Sequence, residues 1–457
     1  MDKLKTILVK KRTLILNKTT GLSVLILGGL LFGIILAGNM LNPEITGISS
    51  QLEEYGLSIN YSKNISSEQL EIKHTFSTGS STVKTRQSYN TINDFGRSVT
   101  VDNEGNMILV GDTMSNLFPT LNAYDKTLNG TSDAFVAKFN ALGDLLWSTF
   151  LGGKFGEEAW DVAIDSQNNV YVTGYTESFD FPGINAYDDY YNGGSRDVFV
   201  TKFDPNGNLI WSTFLGGNNA EKGYGIAIDS SDNVLITGET FSSNFITYNA
   251  YNSSFLGYSD SFLTKLSVNG SLMWSTFVGT EAIDKCNDIA IDSQDNIFIT
   301  GYTIRRISWR VSVQSVCIFK FNSTGSSLWT LFLDGDEDEE GRSIAIDSQN
   351  NILITGITKS SNFPTLNGSS INIQGTDIFV VKLQNSDGLL LWASFFGGNS
   401  DDVSSQILVD STDNIIITGS TKSATFPIQN TDNNLGGAED GFIIKFSSTT
   451  NSLLWST

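Results

Sequence analysis

Short runs of alternating apolar and polar residues, each closed by Asp, Asn or Gly, fill this chain from residue 94 onward. One set reads Asp161-Val-Ala-Ile-Asp165, Val170-Tyr-Val-Thr-Gly174, Asp197-Val-Phe-Val-Thr-Lys202-Phe203 and Leu209-Ile-Trp-Ser-Thr-Phe214. Runs of β-branched and aromatic residues bounded by turn signals predict strands, here called A to D in chain order. The set occurs six times. Its first turn starts on Asp102, Asp165, Asp229, Asp292, Asp347 and Asp410, and its last run carries Trp147, Trp211, Trp274, Trp329, Trp392 and Trp455. Both series step by about 63 residues, with one step of about 55. A period this regular predicts a repeat architecture.

The turns explain how the runs connect. The A–B turn is Asp-x-x-x-Asn in all six units, closed by Asn106, Asn169, Asn233, Asn296, Asn351 and Asn414. Asp and Asn suit it because they accept local N–H groups and tolerate left-handed backbone. The C–D turn has its own signals, Pro205-Asn206-Gly207 and Asn269-Gly270. Each unit therefore reads as a four-stranded antiparallel meander. Strand A centres on a small residue (Ala163, Ala227, Ala290, Ala345), whereas strand D carries Trp, often with Phe150, Phe214 or Phe277 beside it. Sheets arranged radially converge inward and diverge outward, so small residues belong at the hub and bulky ones at the rim. This predicts an all-β fold, a β-propeller of four-stranded antiparallel blades.

The units, read as G-x-A-x-D-S-x-x-N-x-x-x-T-G-x-T, a Phe-Pro loop, D-x-F-x-x-K and a W-S-T-F-L-G-G end, resemble the SBBP β-propeller repeat of bacterial and archaeal surface proteins. The NHL repeat is a more distant relative. The resemblance covers residues 94–457 and implies a propeller. It implies little about activity, since fold does not dictate function.

Upstream of the six clear repeats, Ile72–Phe76 and Val83–Thr85 stand where strands C and D of an earlier unit would lie, and Leu57–Tyr61 forms one more strand-like run. Seven blades are favoured, the first degenerate (55–93); six blades with an extra hairpin is the alternative. The domain reading is a basic cytoplasmic leader (1–20), a transmembrane anchor or signal sequence (21–40), a linker (41–54) and the propeller (55–457).

The N-terminal reading rests on charge. Lys3, Lys5, Lys10, Lys11, Arg12 and Lys18 precede an uncharged apolar run from Gly21 to Met40. About 20 such residues suffice to span a bilayer as a helix, and flanking cations favour a cytoplasmic N-terminus. A cleavable signal, with small residues at Ala37 and Gly38, is the rival reading. The expected location is the cell membrane with the propeller outside, or secretion if the segment is cleaved. The chain carries a formal charge of −21, and without the basic leader the remainder is more acidic still. Such a surface repels nucleic acid. Asn60, Asn129, Asn252, Asn269, Asn322 and Asn367 are sequons consistent with an exterior location.

The candidate chemistry is sparse. The single histidine, His74, lies outside the six repeats, so they supply no His-based triad or metal site. Cys286 and Cys317 both fall in the fourth unit. Strands A and C lie about 9.6 Å apart across two strand spacings, which favours two buried thiols over a disulfide. Eight residues before each turn aspartate stands a carboxylate, Asp94, Glu157, Glu221, Asp284, Glu339 or Asp402. We place these in the D–A loops around one mouth of the channel. There they are either a hard-cation ring, with Ca²⁺ as the candidate ion, or caps for N–H groups of their own loops. The fourth unit also lacks the long B–C loop and reads Thr303-Ile-Arg305-Arg306-Ile-Ser-Trp309-Arg310. Arg and Trp dominate binding hot spots, which makes Arg305, Arg306, Trp309 and Arg310 candidate partner contacts; local charge compensation is the plainer reading. The Phe of each Phe-Pro loop reads as a loop anchor, and the strand C lysines (Lys138, Lys202, Lys265, Lys320, Lys382, Lys445) as structural. The functional expectation is a non-catalytic, membrane-anchored scaffold that binds or displays protein or glycan partners at the cell surface. The alternative is an extracellular polysaccharide hydrolase or lyase using carboxylates at the channel mouth.

Overall fold

In the computed structural model, strand A of the second unit begins at Glu157 rather than Asp161, and the same extension recurs in every unit. The structure describes residues 93–456 apart from 186, 307–311, 369–374, 428–437 and 449–451, and upstream only a pairing of Ile26–Leu27 with Leu30–Leu31. Those four residues are extended, not helical. The rest of the expected transmembrane segment, the leader, the linker and the degenerate blade at 55–92 lie outside the described residues. Among the described residues no helix is long and apolar enough to cross a membrane.

Six four-stranded antiparallel sheets follow one another, each in the order A-B-C-D. In blade 2 the strands are Glu157–Ile164, Val170–Thr176, Asp197–Phe203 and Leu209–Leu215; blade 1 starts at Asp94 and blade 6 ends at Ser456. Strand A of each blade packs on strand A of the next from blade 1 to blade 6, which puts these strands at the hub. Trp147, Trp211, Trp274 and Trp392 are buried between blades at the rim.

The repeated polar residues hold this arrangement together. Asp165 Oδ1 accepts the backbone N–H groups of Gln167 and Asn169, and its Oδ2 accepts Asn169 Nδ2 and pairs with Lys202 Nζ at 3.2 Å. Asn168 supplies the left-handed residue of that turn, φ 64°. The same Asp–Lys pair joins Asp102 to Lys138, Asp229 to Lys265, Asp347 to Lys382 and Asp410 to Lys445. In blade 4 Lys320 instead binds Asn385, which donates to Asp292. From this pivot the repeats latch onto their successors. Trp147 Nε1 and Lys138 Nζ both donate to the Pro205 carbonyl in the C–D turn of blade 2, and Trp211 and Lys202 do the same to Val268 in blade 3.

Blades 6 and 1 are not packed on each other as the other neighbours are. Ile416 and Ile443 on the forward face of blade 6 are only half-buried, whereas Leu353 and Val380 at the same places in blade 5 are fully buried. On the rear face of blade 1, Val99, Leu109 and Phe139 are half-buried where Val162, Val172 and Phe203 of blade 2 are buried. Two apolar faces thus mark the two ends of the described arc of blades.

Candidate functional site

The six carboxylates are the first residues of strand A, not members of the D–A loops, and five of them are fully buried. Asp94 is exposed. Each reaches the last threonine of strand B. Glu157 Oε1 accepts Thr176 Oγ1 at 2.7 Å and its Oε2 accepts the Gly153 N–H at 3.0 Å; Glu221 repeats this with Thr240 and Gly217. Glu339 and Asp402 do likewise with Thr358 and Thr421, and Asp284 is held by Thr280. These carboxylates pin the D–A loop to strand B. They stand apart from one another, one per blade, and among the described residues no three His, Cys, Asp or Glu side chains gather where a metal ion could be held.

The structure instead brings each of four of them beside a second acid, the first residue of strand C in the preceding blade. The pairs are Asp133 with Glu157, Asp197 with Glu221, Asp260 with Asp284, and Asp377 with Asp402. The first glycine of the Gly-Gly leaves room for them: a Cβ on Gly152 would lie 2.6 Å from both Asp133 and Glu157. Burial raises the Glu157 carboxyl to about 7, against the pull of Ser178, Thr176 and Gly153, with Asp133 adding to the rise. Burial likewise raises Asp197 to about 8, and the Glu221 charge contributes. Near neutral pH the Asp133–Glu157 and Asp197–Glu221 pairs therefore hold protons. Blade 4 has Ser315 in place of the strand C acid. The D-x-F-x-x-K motif displayed these aspartates, but nothing in a linear pattern says that strand C of one blade meets strand A of the next.

The hub holds a second polar layer. Strand A of every blade bulges, at Arg97, Trp160, Tyr224, Asn287, Arg342 and Ser405. A bulge re-aims the side chains around it. Arg97 pairs with Asp112 and Glu158 and lies 4.3 Å over the Trp160 ring; Trp160 meets Tyr224 edge-on, and Lys285 lies 4.3 Å over Tyr224. Asn287 donates to Glu340, which pairs with Arg342. One residue further along, Asp161 accepts Ser98 Oγ from blade 1 and the Ile226 N–H from blade 3. Asp288 accepts Ser343 Oγ and the Ile344 N–H from blade 5. Burial raises both aspartates, and the Asp161 charge adds to the rise at Asp288. Mixed charges and aromatics therefore line the axis, which was not legible in the sequence because the bulge position carries no constant residue across the units.

Blade 4 departs from the others in three linked ways. Its strands B and C, Ile297–Arg306 and Ser312–Phe321, are longer and form a continuous hairpin. Arg305, exposed at its end, pairs with Asp334 of the acidic D–A loop. The backbone of Arg306 lies in strand B; Trp309 and Arg310 are outside the described residues. Where the Phe-Pro loop is present, its ring stacks on the strand C phenylalanine, as in Phe181 on Phe199 at 4.8 Å and Phe363 on Phe379 at 4.7 Å. Blade 4 has neither ring. Its strand C residue is Cys317, buried as a free thiol with Cys286, and both pair in register with Gly301 of the strand between them.

Comparison with known proteins agrees with this geometry. The family described as Beta-propeller repeat, SBBP, matches residues 147–182, 210–246, 274–305 and 335–364. The chain carries SBBP β-propeller repeats. The first and fourth matches reach into the loop after strand B, to residues 182 and 364, whereas the third ends at Arg305 in the blade 4 hairpin. A curated relative, an uncharacterised WD repeat-containing protein of Acanthamoeba polyphaga mimivirus, is 24% identical over 461 residues, covering 80% of this chain. The chain spans 32% of that relative's length. Among solved structures, a protein of unknown function from Dyadobacter fermentans aligns with TM-score 0.42 and 9% identity, over 77% of this chain and 94% of its own. One of unknown function from Bacteroides caccae aligns with TM-score 0.37 and 12% identity, over 70% and 89%. A gluconolactonase from Xanthomonas campestris aligns with TM-score 0.34 and 12% identity, over 71% and 83%.

Proposed function

We propose that this SBBP-repeat protein is a non-catalytic binding or display scaffold, tethered to the outer side of a membrane through residues 21–40, for protein or glycan partners. The observation that carries the reading is the asymmetry of blade 4. In a ring of near-copies, a site specific to one partner belongs where the copying was abandoned, and there the hairpin Ile297–Arg306 with Ser312–Phe321 brings Arg305 to the surface. The paired carboxylates favour the same reading over a hydrolase or lyase. They are buried between blades, where no polymer reaches them.

The anchor is supported by the uncharged run and its flanking cations. A seventh blade from residues 55–92 is supported by the two half-buried apolar faces that end the six-blade arc. For the scaffold reading, the test is binding of the purified ectodomain to glycan arrays and whole cells. The Arg305/Arg306/Trp309/Arg310→Ala variant is expected to lose at least about tenfold in affinity. Binding equal to wild type would reject the hairpin as the contact.

A further inference from the structure

The outer edge of strand D is a row of backbone donors and acceptors, and in most blades the chain seals it with its own B–C loop. In blade 1 Leu121 exchanges both backbone hydrogen bonds with Ser148, and Asp125 O accepts the Phe150 N–H. Ile184 pairs with Ser212 in blade 2, Tyr248 with Ser275 in blade 3 and Leu366 with Ala393 in blade 5. Sealing buries the strand: in blades 1, 2, 3 and 5 every strand D residue from the Trp onward is buried.

Blade 4 spent this loop on its hairpin. The equivalents of Ser148 and Phe150 are Thr330 and Phe332, and among the described residues nothing pairs with the outer side of either. Thr330 is exposed, Leu328 is 50% exposed, and Trp329, Leu331 and Phe332 are half-buried. An open edge beside apolar side chains is a template for one more strand. The strand leads directly into Asp334-Gly335-Asp336-Glu337-Asp338, where Asp336 and Glu337 are exposed and unmatched by a salt bridge among the described residues.

We propose that the strand D edge of blade 4, Ser327–Leu333, is a docking site for an extended, basic peptide segment of a partner protein. The sealed edges of blades 1, 2 and 3 show how such a segment sits. It meets the strand first at the Thr330 position and again at the Phe332 position, so its C-terminal end approaches the acidic loop and requires cations there. It needs no phenylalanine anchor, because Cys317 stands where the strand C phenylalanine receives that anchor in the other blades. A second copy of the chain, at −21, matches the acidic loop poorly. The inference rests on the scaffold reading but uses the rim of blade 4 rather than its hairpin tip.

The experiment is fluorescence anisotropy on the full chain with a labelled peptide of residues 119–126, Pro-Thr-Leu-Asn-Ala-Tyr-Asp-Lys, extended by two lysines. Wild type is expected to bind, and more weakly as salt is raised. Two variants close the edge differently. One replaces residues 304–314 with residues 177–196 of blade 2 and carries Cys286→Ala and Cys317→Phe, restoring the small residue and ring found at Ala159 and Phe199. The other, Thr330→Pro, removes the edge N–H, a change that an outer strand tolerates. Both are expected to lose at least about tenfold in affinity, with circular-dichroism melts reporting that they fold. The Arg305/Arg306/Trp309/Arg310→Ala variant should retain peptide binding, which separates this site from the hairpin. Absence of binding to wild type, or equal binding to the graft, overturns the proposal. So does self-association of wild type in sedimentation that the graft abolishes, because the occupant would then be a second copy.

Discussion

Asp165 and Lys202 show how one buried pair governs a repeat. Both side chains are almost wholly inside the protein, and the aspartate also organises the A–B turn. Removing the cation strands a buried charge. Lys202→Met is therefore expected to cost about 3–5 kcal/mol in urea unfolding, whereas the Lys202→Met/Asp165→Asn double variant should recover part of that loss. The acids also set how stability depends on pH. Asp102, Asp165 and Asp229 resist burial, which pushes them up, through hydrogen bonds and lysine partners that bring them below the usual carboxylate range. Their contribution is present above the ordinary aspartate range and is lost as pH falls below it. Glu157 and Asp197 act in the opposite sense. Their folded values of about 7 and about 8 lie above the unfolded ones, so stability is complete below the ordinary carboxylate range and declines as pH rises toward 8. The melting temperature should peak on the mildly acidic side, and Asp197→Asn should flatten its fall between the ordinary carboxylate range and about pH 8. An unchanged slope in Asp197→Asn would place the titrating group elsewhere.

At the scale of the element, the strand B glycines show how tightly the sheet is built. A Cβ on Gly174 would lie 1.9 Å from the Glu158 carbonyl oxygen, a clash with backbone that no rotamer relieves. Gly174→Ala should destabilise the fold by at least about 1–3 kcal/mol, measured by thermal unfolding. In blade 4 the same missing side chain lets two thiols lie close without bonding. With burial and Cys286 holding the Cys317 thiol well above its ordinary range, neither should react with a thiol reagent in the native protein, and both should react in denaturant. Strands, turns and the hub-to-rim gradient were legible in the sequence because each is a local pattern of period two or a turn residue at a fixed offset. The Asp165–Lys202 pair was visible only as two separate constants, since the residues are neighbours only once strand C lies beside the A–B turn. The Asp197–Glu221 pair and the hub residues Asp161 and Asp288 join different blades, so no single repeat contains them. The carboxylate positions were right, but their place in strand A was not: the bulge after Ala159 lets the strand continue upstream, where an uninterrupted alternation would have broken.

The described blades form a chain of nearest-neighbour contacts whose two ends carry half-buried apolar faces. If residues 55–92 complete the ring, deleting residues 41–92 should lower the melting temperature and raise hydrogen exchange first in blades 1 and 6, leaving blade 3 protected. Equal exchange in all six would show that this segment covers neither end. A cation bound only by the folded chain would raise the melting temperature. Given four separate acid pairs and no cluster of three among the described residues, Ca²⁺ and chelator are expected to leave it unchanged, with calorimetry as the check.

The tryptophan and lysine bonds to the following C–D turn all point the same way along the chain. A unit inserted between two others would receive its predecessor's two donors and offer its own to its successor, with no residue elsewhere having to change. Lengthening such a protein by duplicating one cassette is thus close to neutral for stability, while altering a single loop is not. That asymmetry explains how six units could stay so alike while one of them, blade 4, became the place of difference.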